Sequence, residues 1–139
     1  MATKTKRSII EREWQAHGLD CAVIFVRQSH RCGYVRIPEG HPFHGIDNDE
    51  GLVDVHGGVT WAGELKHAEA RLEGFWLGFD CAHLGDKVLG LDIGSDEHFW
   101  TEPEVAAETE RMAAQIAEAD EWAAATQPEP SQETKGERR

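Results

Sequence analysis

The sequence has no apolar run approaching the roughly 20 residues that a bilayer-spanning helix needs, so no segment reads as a membrane span and no membrane partner is expected. Basic side chains are scarce: 14 Lys and Arg stand against 26 Asp and Glu, a formal charge of −12. A surface that follows duplex phosphates needs clustered Lys and Arg, so duplex nucleic acid is disfavoured as a partner. The early cluster Lys4, Lys6, Arg7 and Arg12 leaves room for a small anionic ligand. Cysteine is sparse and odd in number, since Cys21, Cys32 and Cys81 cannot all pair within one chain. Met1–Arg7 is polar and basic, with no apolar run of signal-peptide length after it, and a reducing cytoplasm is expected. The phosphate-loop patterns G-x-x-x-x-G-K-[ST] and G-x-G-x-x-G are missing, as are a Ser-centred nucleophile motif and an internal repeat.

What is there suits one domain. A chain of 139 residues, 40% of them apolar, can enclose one modest core. Residues 1–7 read as a flexible basic N-terminus, 8–122 as a single α+β domain and 123–139 as a disordered acidic tail. Ser8-Ile9-Ile10-Glu11 has the form of a capping box, which predicts a short N-terminal helix ending at Gly18 with Ile10 and Trp14 buried. Cys21–Val26 and Arg31–Ile37 read as strands joined by a hairpin at Gln28-Ser29, the second ending at Pro38. A long loop follows over Pro38–Gly51. A third strand is predicted over Leu52–Trp61, interrupted at Gly57-Gly58, and a fourth over Phe75–Ala82; Glu64–Leu72 reads equally as helix or as an elaborated hairpin connection. Thr101, with Glu104 three residues on and Pro103 in the first turn, starts a long C-terminal helix. Its apolar stripe is Val105, Thr109, Met112, Ile116 and Ala119. The expected fold is therefore a predominantly antiparallel sheet of about four strands, with a short N-terminal helix and a long C-terminal one.

Candidate chemistry gathers at the strand ends. His56, Asp80 and His83 supply imidazoles and a carboxylate for acid–base work, with Asp86 beside them. The alternative is that Asp80 and Asp86 cap turns around Gly85 while His83 bonds a main-chain carbonyl. His30-x-Cys32 and Cys81-x-His83 each place two soft ligands on one face of a strand, and together they could supply a tetrahedral zinc site. The competing reading makes the cysteines small buried hydrophobes and requires no cofactor. For ligand contact, Tyr34, Phe43 and Trp61 offer stacking surfaces. His41 stands in a Gly- and Pro-rich lip, and Gly57, Gly58 and Thr60 could present main-chain N–H groups to an anion.

The segments Cys32-Gly33-Tyr34-Val35-x-Ile37-Pro38-x-Gly40-His41-Pro42, Val55-His56-Gly57-Gly58-Val59-Thr60 and Gly78-Phe79-Asp80-Cys81-Ala82-His83-x-Gly85-Asp86 resemble a family of small proteins encoded by tailed bacteriophages. The likeness runs from about Cys32 to Ala117 and includes the final helix at Val105-x-x-Glu108-x-x-x-Met112-Ala113-x-Gln115-Ile116-Ala117. It carries over no catalytic residue. It implies an accessory protein that counters defences in the cytoplasm of an infected bacterial host. The expected partner is a small nucleotide-type signal, held by His41, His56, Asp80 and His83. Three outcomes stay open: phosphodiesterase-type hydrolysis by the histidines, non-catalytic sequestration helped by homo-oligomerisation, and inhibition of a host enzyme through the acidic helix and tail.

Overall fold

In the computed structural model, which describes residues 8–27, 29–46, 53–66, 71–82, 86 and 98–126, the chain begins with a β-hairpin. β1 (Ile9–Ala16) and β2 (Leu19–Val26) pair antiparallel, with Ala16 opposite Leu19. The two residues between them, His17 and Gly18, have φ of 55° and 77°. Two successive positive φ values make a type I′ turn, whose twist suits the flanking strands. The N-terminal helix expected from Ser8-Ile9-Ile10-Glu11 is thereby overturned. A capping signal is local, whereas β-branched Ile9 and Ile10 gain a whole strand of pairing once the turn brings β2 alongside. Ser8 Oγ instead accepts the Arg27 N–H at 3.3 Å.

β3 (His30–Ile37) follows; Arg27 has φ of 50° and the Ser29 N–H donates to the Val26 carbonyl at 2.9 Å, while Gln28 of the expected turn lies outside the described residues. β4 (Trp61–Lys66) and β5 (Arg71–Asp80) pair antiparallel with Lys66 opposite Arg71, so both ends of Glu64–Leu72 are strand, while residues 67–70 lie outside the described residues. The sheet has five strands in the order β1-β2-β3-β5-β4, all antiparallel, one more than expected. The predicted strand over Leu52–Trp61 is also corrected, because residues 53–60 form no strand. Gly57 and Gly58 have φ of 71° and 80°, and Gly58 N–H closes a turn on the Val55 carbonyl at 2.9 Å. β5 stops at Asp80, short of the expected Ala82.

α1 (Glu102–Thr126) starts as predicted: Thr101 N–H donates to Glu104 Oε1 at 2.9 Å, and Glu104 N–H returns to Thr101 Oγ1 at 3.4 Å. It runs past the domain limit read at 122, while residues 1–7 and 127–139 lie outside the described residues. Val105, Thr109, Met112 and Ile116 are fully buried, joined by Ala106 and Ala113, and the helix crosses β1, β2 and β3. Core residues therefore fall into two groups, one between sheet and helix and one on the opposite sheet face around Ile24, Tyr34, Leu65 and Trp76.

β3 and β5 meet through reciprocal glycine–aromatic pairs. Gly33 lies opposite Phe79 and Tyr34 opposite Gly78. A Cβ on Gly33 would run into the Phe79 ring and the Thr109 hydroxyl of α1; one on Gly78 would run into the Tyr34 ring. Each ring covers the bare backbone of the neighbouring strand, a device that pins strand register.

Candidate functional site

Residues 53–60 are held down by Val53, Val55 and Val59, all buried in the core beneath α1. Polar groups then seam the segment to the helix. Asp54 N–H donates to Gln115 Oε1, Gln115 Nε2 returns to the Asp54 carbonyl, and His56 N–H donates to Glu108 Oε2, each at 2.8 Å. With both flanks anchored, the His56 ring is placed rather than left to wander.

That ring meets a buried acid. His56 Nε2 lies 2.7 Å from Asp86 Oδ2, with Asp86 only 5% exposed and the His56 side chain 26% exposed. The Trp100 indole N–H donates to the other Asp86 oxygen at 3.1 Å, and the Trp100 ring leans on the imidazole with centroids 4.4 Å apart. A carboxylate accepting from Nε2 makes Nδ1 the basic ring nitrogen. Glu108 completes the surroundings: hydrogen bonds from the Arg111 guanidinium, at 3.0 and 2.8 Å, hold its carboxyl below the usual range, with His56 N–H adding to the effect.

The same loop docks on the end of β5. Thr60 N–H donates to the Gly78 carbonyl and Thr60 Oγ1 to Asp80 Oδ2, both at 2.8 Å. Asp80 Oδ1 accepts the Ala82 N–H at 3.0 Å, so this carboxylate does turn-capping work. Cys81 is buried, and burial pushes its thiol pKa up, with Asp86 and further acidic neighbours adding to the rise. The nucleophilic thiolate form of Cys81 is thereby disfavoured. The 53–60 segment thus contacts Asp80 through Thr60 and Asp86 through His56.

Other candidates lie elsewhere. His41 is 6% exposed; its Nε2 donates to the Ile116 carbonyl at 2.7 Å and its Nδ1 accepts the Phe43 N–H at 2.9 Å. It clamps the 38–46 loop to α1, with the Phe43 ring edge-on at 5.0 Å and packed against the core. Ile116, where His41 is anchored, stands roughly 12 Å along the helix axis from Glu108, where the His56 main chain is anchored. Tyr34 is buried on the sheet face away from α1, beside Cys32, and burial raises its pKa. Trp61 is 42% exposed on β4, its indole N–H bonded to the Gly63 carbonyl of its own strand at 3.3 Å. Gly57 and Gly58 shape the turn beside His56, and the Gly58 N–H is used within it.

Of the expected zinc ligands, His30 Nδ1 lies 3.2 Å from Ser29 Oγ, while Cys32 and Cys81 pack in separate clusters. His83 lies outside the described residues. Among the described residues, no group of three or more His, Cys, Asp or Glu stands ready for a metal.

Sequence reading missed Trp100, Glu108 and Arg111. Trp100 had a signal: it precedes the N-cap Thr101, where an apolar residue commonly packs back onto the helix. Glu108 and Arg111 resemble any solvated helix face until the 53–60 segment lies beside them. Compared with protein-family models, curated proteins and solved structures, the chain matches none.

Proposed function

We propose that the protein is a phage counter-defence factor that binds a small nucleotide-type signal at His56 and cleaves it. One observation carries the catalytic part of the reading, the 2.7 Å contact between a half-buried imidazole and a buried carboxylate steadied by an indole N–H. An imidazole so held is a general base whose orientation is set before a ligand arrives. For a phosphodiester with a neighbouring sugar hydroxyl, His56 takes the hydroxyl proton and the oxygen attacks phosphorus. The bond to the departing alkoxide breaks, and that oxygen takes the proton now carried by the His56 imidazolium, leaving a cyclic phosphate and an alcohol and returning His56 to its starting state.

Recognition follows the charge around the ring. The carboxylate of Asp86 stands at the His56 ring and that of Glu108 at its main-chain N–H, with Arg111 paired to Glu108. Direct contact between the ring and a phosphate is therefore disfavoured, and approach through sugar hydroxyls is favoured. The net charge of −12 disfavours polyanions such as duplex nucleic acid.

Sequestration without cleavage is the second reading. It is favoured by Asp80, both of whose oxygens already accept hydrogen bonds, so a second acid–base group is lacking at that position. Homo-oligomerisation belongs to this version as a means of enclosing the ligand. The inhibitor reading loses ground because Glu102, Glu108 and Glu110 of α1 are engaged by Arg12, Arg111 and Trp14. Zinc held by His30, Cys32, Cys81 and His83 is the cofactor alternative; elemental analysis of protein purified without chelators tests it.

The deciding experiment incubates the full chain with a panel of cyclic mono-, di- and oligonucleotides and separates the products by chromatography. Cleavage by the wild type should fall about 100-fold or more in His56→Gln and strongly in Asp86→Asn. Intact nucleotide recovered after denaturation rejects hydrolysis and supports sequestration. If no member of the panel is retained or altered, both versions fail.

A further inference from the structure

We propose that Arg31 is a positioning residue for the His56–Asp86 pair, carrying the effect of a β-bulge in β1 to the imidazole through Trp100; the proposal rests on His56 being the working group, as argued above. The β1–β2 register slips between Ile10 and Arg12, which leaves Glu11 as the extra residue. A bulge re-aims the side chain it carries. Glu11 reaches past β2 to β3, where Arg31 Nε donates to Oε1 at 2.6 Å and Nη2 to Oε2 at 3.2 Å. Two parallel bonds orient the guanidinium plane as well as balancing its charge.

That plane lies over Phe25 at 4.3 Å and near Phe99 at 5.3 Å, and its third arm, Nη1, donates to the Trp100 carbonyl at 3.0 Å. The Arg31 carbonyl also accepts the Cys81 N–H at 3.0 Å. One residue thus grips both segments beside the site, the exit of β5 by its main chain and the 99–100 stretch by its side chain. Trp100 passes the constraint on, through its indole N–H to Asp86 and its ring against His56. Lysine could balance Glu11, but it has no rigid fork with which to hold a carboxylate and a carbonyl together.

The test follows exchangeable protons by NMR in the full chain without ligand. The probes are the His56 Nε2–H, assigned by its loss in His56→Gln, and the Trp100 indole N–H. The Trp76 indole N–H, bonded to the Glu73 carbonyl at 3.0 Å, is the reference. Arg31→Lys and Arg31→Ala should speed exchange of both probes by about tenfold or more and leave Trp76 unchanged. Arg36→Lys, at the exposed pair with Asp20, should change neither. Wild-type exchange of both probes in folded Arg31→Lys overturns the proposal. Equal acceleration at Trp76 also overturns it, by showing a general loss of stability. If Arg31→Ala does not fold, Arg31→Lys decides. Absence of the His56 signal from the wild type overturns both this proposal and the function above. Failure of every nucleotide to bind rejects that function alone.

Discussion

Gly33 and Gly78 show how residues that look like site chemistry can serve architecture. Each leaves room for the aromatic ring of the facing strand, and Gly33 also admits the Thr109 hydroxyl of α1. Gly33→Ala forces extra volume into that contact and should cost about 1–3 kcal/mol, read as a lower urea midpoint. His41 is comparable, with both ring nitrogens hydrogen-bonded inside the fold. His41→Ala should destabilise by about 1–3 kcal/mol and leave ligand retention intact once the variant is folded. Burial pushes Cys21 and Cys32 up to about 12. Unfolded thiols ionise from about pH 8.5, so this contribution to stability is fully present below that pH and is lost as pH rises toward the folded value. Denaturation midpoints under reducing conditions should fall accordingly. A thiol reagent at neutral pH should modify the cysteines only after denaturant is added.

At the scale of elements, α1 and β1 make opposite cases. For α1 the cap, the stripe and the first turn agree with one another, and the helix follows from its own residues. Thr101→Ala should lower stability by about 1 kcal/mol, measured by thermal or urea melting. The Glu104 carboxyl is held below its ordinary range chiefly by the Thr101 N–H, so its contribution is present above the ordinary carboxylate pKa and fades as pH falls through the lowered one. β1 carries a similar capping pattern at Ser8–Glu11 and becomes a strand. The deciding residues are His17 and Gly18, whose conformation returns the chain antiparallel and hands Ile9 and Ile10 a partner. A His-Gly pair lacks the Asn-Gly or Asp-Gly signature of such a turn, which is why the hairpin was hard to read.

Across the whole molecule, the sheet brings distant segments to one end. β5 inserts between β3 and β4, so its exit stands beside Arg31 on one side and the 53–60 segment on the other. That the segments around His56 and Asp80 carry site-type residues was legible, since both hold polar and glycine residues that an ordinary core strand would not. The same logic misplaced His41 and Tyr34, because imidazole and phenol groups are also bought by a core able to hydrogen-bond them. α1, β2 and β3 were readable from the residue order, because caps, apolar periodicity and β-branched runs act between near neighbours. The strand state of β1, the grip of Arg31 on Trp100 and the pairing of His56 with Asp86 came from folding itself. Partners such as the last two, 69 and 30 residues apart, leave no mark on the intervening chain, and only packing sets the distance between them.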